Sequence, residues 1–167
     1  MESVVNEGAV RVKEPERTQN EPEVIEHRIE LLPGQARLLA DSESVVLAAI
    51  AGTGGGKTML GYWWLHNRMQ THPGFTWGVA EPTFNLLSKV LLTSSDKERP
   101  SLEGYFKMVG HHPINHAVDK ILETDFGQIY LGSADNPDSM QGAAVKGYWL
   151  DEGGLMGLRA YETATQR

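Results

Sequence analysis

The chain of 167 residues contains no cysteine. Disulfides and thiolate metal sites are therefore excluded, and an intracellular setting is compatible with that lack. No run of about 18 apolar residues exists, so no segment should cross a bilayer as a helix. The sequence does not open with a basic stretch followed by an apolar one, so no secretory signal is visible. A surplus of positive charge is missing too. The formal net charge is -7, which denies the protein a global basic surface and confines any nucleic-acid contact to local patches or to another chain. What is present is ordinary for one compact domain, with 40% hydrophobic residues to build a core.

Charge is uneven along the chain. Residues 1–30 hold eight Glu against four Lys plus Arg, or -4 of the -7. Residues 1–29 have no aromatic residue and read as a disordered acidic tail, because they bury too little to offset their ordering entropy. The domain proper is expected over residues 30–167. Pro33, Gly34 and Gln35 mark a turn into a short helix. Val45 to Ile50 is a continuous apolar run, the pattern of a strand buried on both faces of a parallel sheet. Lys57 to Met69 favours helix and is apolar nearly all round, so it should be buried, with Pro73 and Gly74 as its stop. Phe75 to Ala80 is a second buried strand, ended by Pro82, and Phe84 to Leu92 a further helix. Lys97 to Pro100 reads as loop. Ile121 to Thr124 and Gln128 to Leu131 flank Asp125-Phe126-Gly127 as a hairpin. Val145 and Tyr148 to Leu150 form a last strand. Strands alternating with helical patterns imply an α/β fold with a mainly parallel sheet flanked by helices.

The sharpest signal is Ala51-Gly52-Thr53-Gly54-Gly55-Gly56-Lys57-Thr58. It matches the phosphate-binding P-loop (Walker A) pattern, with Ala51 in place of the first Gly. Glycines let the backbone close around phosphate oxygens, and the following helix adds its N-terminal partial positive charge. Lys57 suits the β- and γ-phosphates, and Thr58 suits Mg²⁺. The bland alternative is a flexible Gly-rich turn with an accidental Lys-Thr. The expected strand before the loop and helix after it favour the P-loop.

Tyr148-Trp149-Leu150-Asp151-Glu152 ends an apolar strand in two acids, 94 positions after Lys57 (151 minus 57). Alone this is a weak signal, since acids commonly end strands. Paired with a P-loop it reads as the second metal element (Walker B). Asp151 would hold Mg²⁺ and Glu152 would orient the attacking water. The Asn-Lys-x-Asp element of guanine recognition is absent, so ATP is the expected nucleotide.

In order along the chain, these segments resemble the large terminase subunit of tailed double-stranded DNA bacteriophages. The resemblance covers about residues 31–165. Leu32-Pro33-Gly34-Gln35 is similar to the element whose Gln recognises adenine, which assigns that role to Gln35. Val79-Ala80-Glu81-Pro82-Thr83 resembles the strand end that follows the P-loop in terminases and helicases. Phe126 to Ser133 and Ser139-Met140-Gln141-Gly142 continue the series into the Asp-Glu strand. The resemblance implies a P-loop NTPase of the additional-strand, catalytic-glutamate type that drives double-stranded DNA into a procapsid. It also implies a homo-oligomeric ring, a portal and a small terminase subunit as partners, and the host cytoplasm as the location.

Thr53 and Gln141 stand where many family members carry Arg. Arg68, Arg159 and Arg167 are then candidates for an arginine finger, with a solvated surface Arg as the plainer reading of each. The family's next ATPase strand and its nuclease domain have no counterpart in this sequence, so an incomplete ATPase domain is expected. Two other readings stay open: a helicase-like P-loop ATPase, and a nucleotide-binding fragment without turnover of its own. Gly153-Gly154 after the Glu weighs against the helicase pattern.

Other residues read more plainly. His111, His112 and His116 lack a partner at zinc-ligand spacing and suit a polar loop. Trp63, Trp64 and Trp77 suit core packing better than base stacking. Lys89, Lys97, Arg99 and Lys107 are interspersed with acids and suit a solvated face.

Overall fold

A computed structural model describes residues 30–93, 99–141 and 144–166. The acidic segment 1–29, Lys97, Gly142 and Arg167 lie outside the described residues.

Helix α1 (Pro33–Ala40) begins with proline in its first turn, where no amide hydrogen is needed. The Gly-rich segment 51–56 leads into α2 (Lys57–Thr71), which Pro73 and Gly74 follow. Strand β1 (Thr76–Glu81) comes next. A helical turn, α3 (Phe84–Leu86), is capped by the Thr83 hydroxyl accepting from the Leu86 amide. It runs into a wider π-helical segment, Leu87–Leu92. The expected helix over Phe84–Leu92 is thus real but widens after its first turn. Helix α4 (Leu102–Met108) is capped by Ser101. Strands β2 (Ile114–His116), β3 (Ile121–Thr124) and β4 (Gly127–Ser133) form an antiparallel series, with the expected hairpin joining β3 and β4. A 3-10 turn (Pro137–Met140), β5 (Val145–Leu150), a second 3-10 turn (Gly153–Leu155) and α5 (Leu158–Thr165) complete the order.

The sheet runs β2-β3-β4-β1-β5. β1 pairs in parallel with both β4 and β5. Because side chains alternate along a strand, β1 and β5 each serve two cores. Trp77, Val79 and Trp149 pack with Tyr62, Leu65 and Met69 of α2 and with Leu87, Leu91, Leu102, Tyr105 and Phe106. On the other face Ala80, Tyr148 and Leu150 pack with Met140, Met156, Ala160 and Ala164. Helices therefore cover both faces of the part of the sheet that carries parallel pairs. Trp63 and Trp64 pack against the first core and Trp77 lies within it, as their sequence context predicts.

One expectation is overturned. Val45–Ile50 is not a strand, and Val45, Val46 and Ile50 are 92%, 64% and 96% exposed. An apolar run becomes a strand only where a neighbour supplies a matching ladder of N–H and C=O groups. No described strand pairs with this segment.

Candidate active site

Parallel pairing brings the carboxyl ends of β4, β1 and β5 to one edge, the usual place for a site in an α/β sheet. Glu81 is in register with Ser133, and Ala80 with Leu150, which sets Asp151 beside Glu81. The Asp151 amide donates to the Ala80 carbonyl at 3.0 Å, extending the ladder by one bond. Alternation turns Trp77, Val79 and Glu81 of β1 toward α2, and Trp149 and Asp151 of β5 toward the same helix.

The Gly-rich segment expected to be a P-loop arrives on this face. Gly54 (φ 77°) and Gly56 (φ 72°) hold left-handed backbone that other residues adopt only at a cost. The Gly55 amide donates to the Gly52 carbonyl at 3.1 Å, closing the loop. Residues 51–54 are exposed, so the loop opens to solvent. α2 begins at Gly56 with no side-chain cap and no acid in its first turn. That leaves the positive end of a 15-residue helix available to an anion. The Lys57 ammonium donates to the carbonyls of Ala51 and Gly52 at 3.1 and 3.3 Å. Gln35 lies against the loop's end: its amide nitrogen is 3.0 Å from where a Cβ on Gly56 would stand. Its carbonyl oxygen accepts from the Leu32 amide at 3.0 Å, which fixes the side chain.

The two halves of the site touch. Thr58 Oγ1 donates to Asp151 Oδ2 at 3.0 Å, across 93 positions of sequence. Asp151 is 4% exposed. Burial raises its pKa above the usual carboxylate value, against the Thr58 hydrogen bond and the Lys57 charge, which lower it. Glu152 is exposed and holds left-handed backbone at φ 50° and ψ 38°. For a residue with a Cβ that conformation costs about 1–2 kcal/mol, a cost that clusters at functional positions.

Glu81 carries no role of its own in the sequence reading. It is 0% exposed, and among the described residues neither carboxylate oxygen has a donor partner. Desolvation first, then the charges of Asp151 and Glu152 and the closeness of the Asp151 carboxyl, push its pKa up to about 8. The signal was present: Glu81 ends the apolar strand Trp77–Ala80 just before Pro82, the same pattern that singled out Asp151. The residues facing this corner suit a hard divalent cation: carboxylate oxygens, one pair of them buried without a donor, and a hydroxyl. Among the described residues no group of three or more His, Cys, Asp or Glu is arranged to hold a metal alone. Nucleotide phosphates would have to complete its coordination, as is usual for Mg²⁺.

Two of the candidate arginines, Arg68 and Arg159, are engaged elsewhere. Arg68 donates to the Asp41 carbonyl at 2.6 Å and lies over the Trp64 ring, and Arg159 pairs with Asp138 at 2.6 Å. Lys107 pairs with Glu103 at 2.6 Å, and Lys89 is exposed. Arg99 is closer to the chemistry than its sequence context implies, since its charge reaches both Glu81 and Tyr62.

The histidines form more than a polar loop. His111 Nδ1 lies 2.9 Å from Asp125, and its Nε2 is 3.1 Å from His66 Nε2. His66 Nδ1 is in turn 3.0 Å from the Tyr105 hydroxyl. One tautomer set satisfies the whole chain: Tyr105 donates to His66, His66 to His111 and His111 to Asp125. His116, on β2, pairs with Glu123 at 3.0 Å. His112 is exposed in the loop between α4 and β2.

No family model and no curated protein matches the chain. Solved structures do. The large terminase from a thermophilic bacteriophage, in complex with ADP, aligns with a TM-score of 0.63 at 22% identity, over 81% of this chain and 35% of that one. The ATPase domain of the Thermus phage P74-26 large terminase aligns with a TM-score of 0.65 at 14% identity, over 82% and 59%. The fold is that of a large terminase ATPase domain. The first of these terminases, in complex with ATP-gamma-S, aligns at 23% identity with a TM-score of 0.57, over 69% and 27%. The chain thus spans 27–35% of the length of that phage's terminase structures. Among the described residues no helix is long and apolar enough to cross a membrane.

Proposed function

We propose that this chain carries the ATP-binding and hydrolysing motor domain of a viral DNA-packaging terminase large subunit. The observation that carries the reading is the Thr58–Asp151 contact, which joins a P-loop to a strand-end carboxylate on a terminase ATPase fold. The backbone amides of Gly52 to Gly56 and the start of α2 would cradle the phosphates. Lys57 would leave its two carbonyl partners for the β- and γ-phosphates, since phosphate oxygens are the stronger acceptors for an ammonium. Gln35, fixed against the loop, would meet the adenine. Thr58 and Asp151 would hold Mg²⁺, which when bound neutralises charge on the transferring phosphoryl group. Glu152 would orient and accept a proton from the attacking water, giving ADP and inorganic phosphate. Double-stranded DNA, the portal and procapsid, the small terminase subunit and a ring of like subunits are the partners this reading implies, in the host cytoplasm.

Titration with a fluorescent ATP analogue and Mg²⁺ tests the first half. Wild type should saturate, and Lys57→Ala should weaken binding at least tenfold by removing a phosphate-bound charge. Absence of binding by the folded wild type would sink the reading. Glu152→Gln should keep binding and lower turnover by roughly 10²–10⁴-fold, the usual contribution of a positioned base. Unchanged turnover would remove Glu152 from the role.

A further inference from the structure

Glu81 has no place in the roles just assigned, and the polar group closest to it is another acid, the Asp151 carboxyl, with which it can at most share a proton. Glu81 stands on β1, wholly buried, and among the described residues neither oxygen has a donor. A buried polar group without a partner is destabilising, and a charged one more so. The strand end does not need the side chain: the Glu81 carbonyl accepts from the Ala134 amide at 2.9 Å, which secures the backbone. An apolar side chain of similar volume would pack against this face with no such cost. What the side chain faces is Asp151, set beside it by the β1–β5 pairing and itself tied to Thr58.

We propose that Glu81 is a second carboxylate of the cation site, set beside Asp151 to hold the divalent ion that arrives with the nucleotide phosphates. This rests on the nucleotide-binding reading above. An octahedral Mg²⁺ takes one or two carboxylates, phosphate oxygens and several waters. Asp151 and Thr58 supply one side of that set. Glu81, one methylene longer and one strand over, supplies another, by direct contact or through one of the ion's waters. The charges around it are Asp151 and Glu152, which repel its carboxylate, and Arg99, which attracts it. A dication offsets that repulsion and gives the two orphaned oxygens a partner. The sequence thus places a carboxylate at the end of each of two adjacent parallel strands, and the Gly-rich loop before α2 at the face between them.

The test uses Mn²⁺ as a paramagnetic stand-in for Mg²⁺, with free Mn²⁺ counted by electron paramagnetic resonance in the presence of ADP. Glu81→Gln keeps the shape and removes the charge. Its Mn²⁺ affinity with ADP should fall about tenfold, while ADP affinity in excess chelator stays at the wild-type value. Without metal the variant should melt close to the wild-type temperature, because the ionisable group has gone but an unpartnered polar group stays in its place. Glu81→Leu, which also fills the space, is the second variant and should show the same loss of Mn²⁺ affinity. Wild-type Mn²⁺ affinity in either folded variant overturns the proposal. So does a marked drop in metal-free melting temperature for both, the mark of a purely structural residue. A wild-type protein that binds no ADP would instead overturn the nucleotide-binding reading itself, so the two failures are distinct.

Discussion

Gly61 sits in the middle of α2, where alanine would ordinarily be the better helix former by about 1 kcal/mol. The structure reverses that expectation. A Cβ at Gly61 would lie 2.1 Å from Trp149 Cε2, 2.2 Å from Cζ2 and 2.6 Å from Nε1. Carbon atoms in contact settle at about 3.5–4.0 Å, so the indole would have to retreat by roughly 1.5 Å. It has little freedom to do so, because Trp149 meets the Tyr62 ring edge-on at 5.5 Å and is packed against the main core. Overpacking of this kind costs about 1–3 kcal/mol, and loss of an aromatic pair about 0.5–1.5 kcal/mol more. The propensity gain offsets part of this. Gly61→Ala should therefore destabilise the protein by about 1–2 kcal/mol, or a few degrees of melting temperature at this chain length. The damage should reach the site, since Thr58 is one turn before Gly61 and Asp151 two residues after Trp149. Urea unfolding followed by tryptophan fluorescence gives the stability, and ADP titration with Mn²⁺ gives the site. Gly61→Ala combined with Trp149→Phe should recover part of the loss, a coupling expected only of residues in contact. A single Gly61→Ala variant stabilised by about 1 kcal/mol, as at an open helix position, would refute this packing.

Two further outcomes follow from buried groups. Glu81 is raised from 4.5 to about 8, so between those values its folded carboxyl holds a proton that the unfolded chain has released, and the raised Asp151 acts in the same direction. Metal-free stability should be fullest below about pH 4.5 as far as Glu81 decides it, and should fall as pH rises toward 8, with Glu81→Gln flattening the decline in melting temperature. Tyr105→Phe removes the hydroxyl that donates to His66 and should cost about 1 kcal/mol in urea unfolding, whereas a neutral substitution would deny the hydrogen-bonded chain any role in holding α2 to α4.

The parts of this protein that the sequence makes legible are those whose signals are local. The P-loop carries its own glycines, and Lys57–Thr71 is closed by Pro73 and Gly74. The β3–β4 hairpin shows two strand patterns around Asp125-Phe126-Gly127. Helix α4 escapes the sequence reading because it spans only seven residues, although Ser101 and the spacing of Leu102, Tyr105 and Phe106 mark it in retrospect. Val45–Ile50 failed for a different reason. It is as apolar as a buried strand, but a strand is a relation between two segments, and composition reports only one of them.

The same distinction governs the site. Asp151 and Glu81 end similar apolar strands, yet only Asp151 has an acid after it, so only Asp151 stands out. Their adjacency depends on the β1–β5 register, which is irregular between Thr76 and Gly78. β5 uses three positions there (Val145 to Tyr148) where β1 uses two (Thr76 to Gly78). Beyond the irregularity Trp149 and Asp151 face α2 while Tyr148 lies across Gly78 on the opposite face. An unbroken register would exchange those faces, because side chains alternate with a period of two. Asp151 would then point away from Thr58, and Tyr148 would take the place of Trp149 against Gly61. The contact between the P-loop and β5 therefore depends on one extra residue in a strand whose local sequence, Val145-Lys146-Gly147, carries only the single glycine as a hint of it.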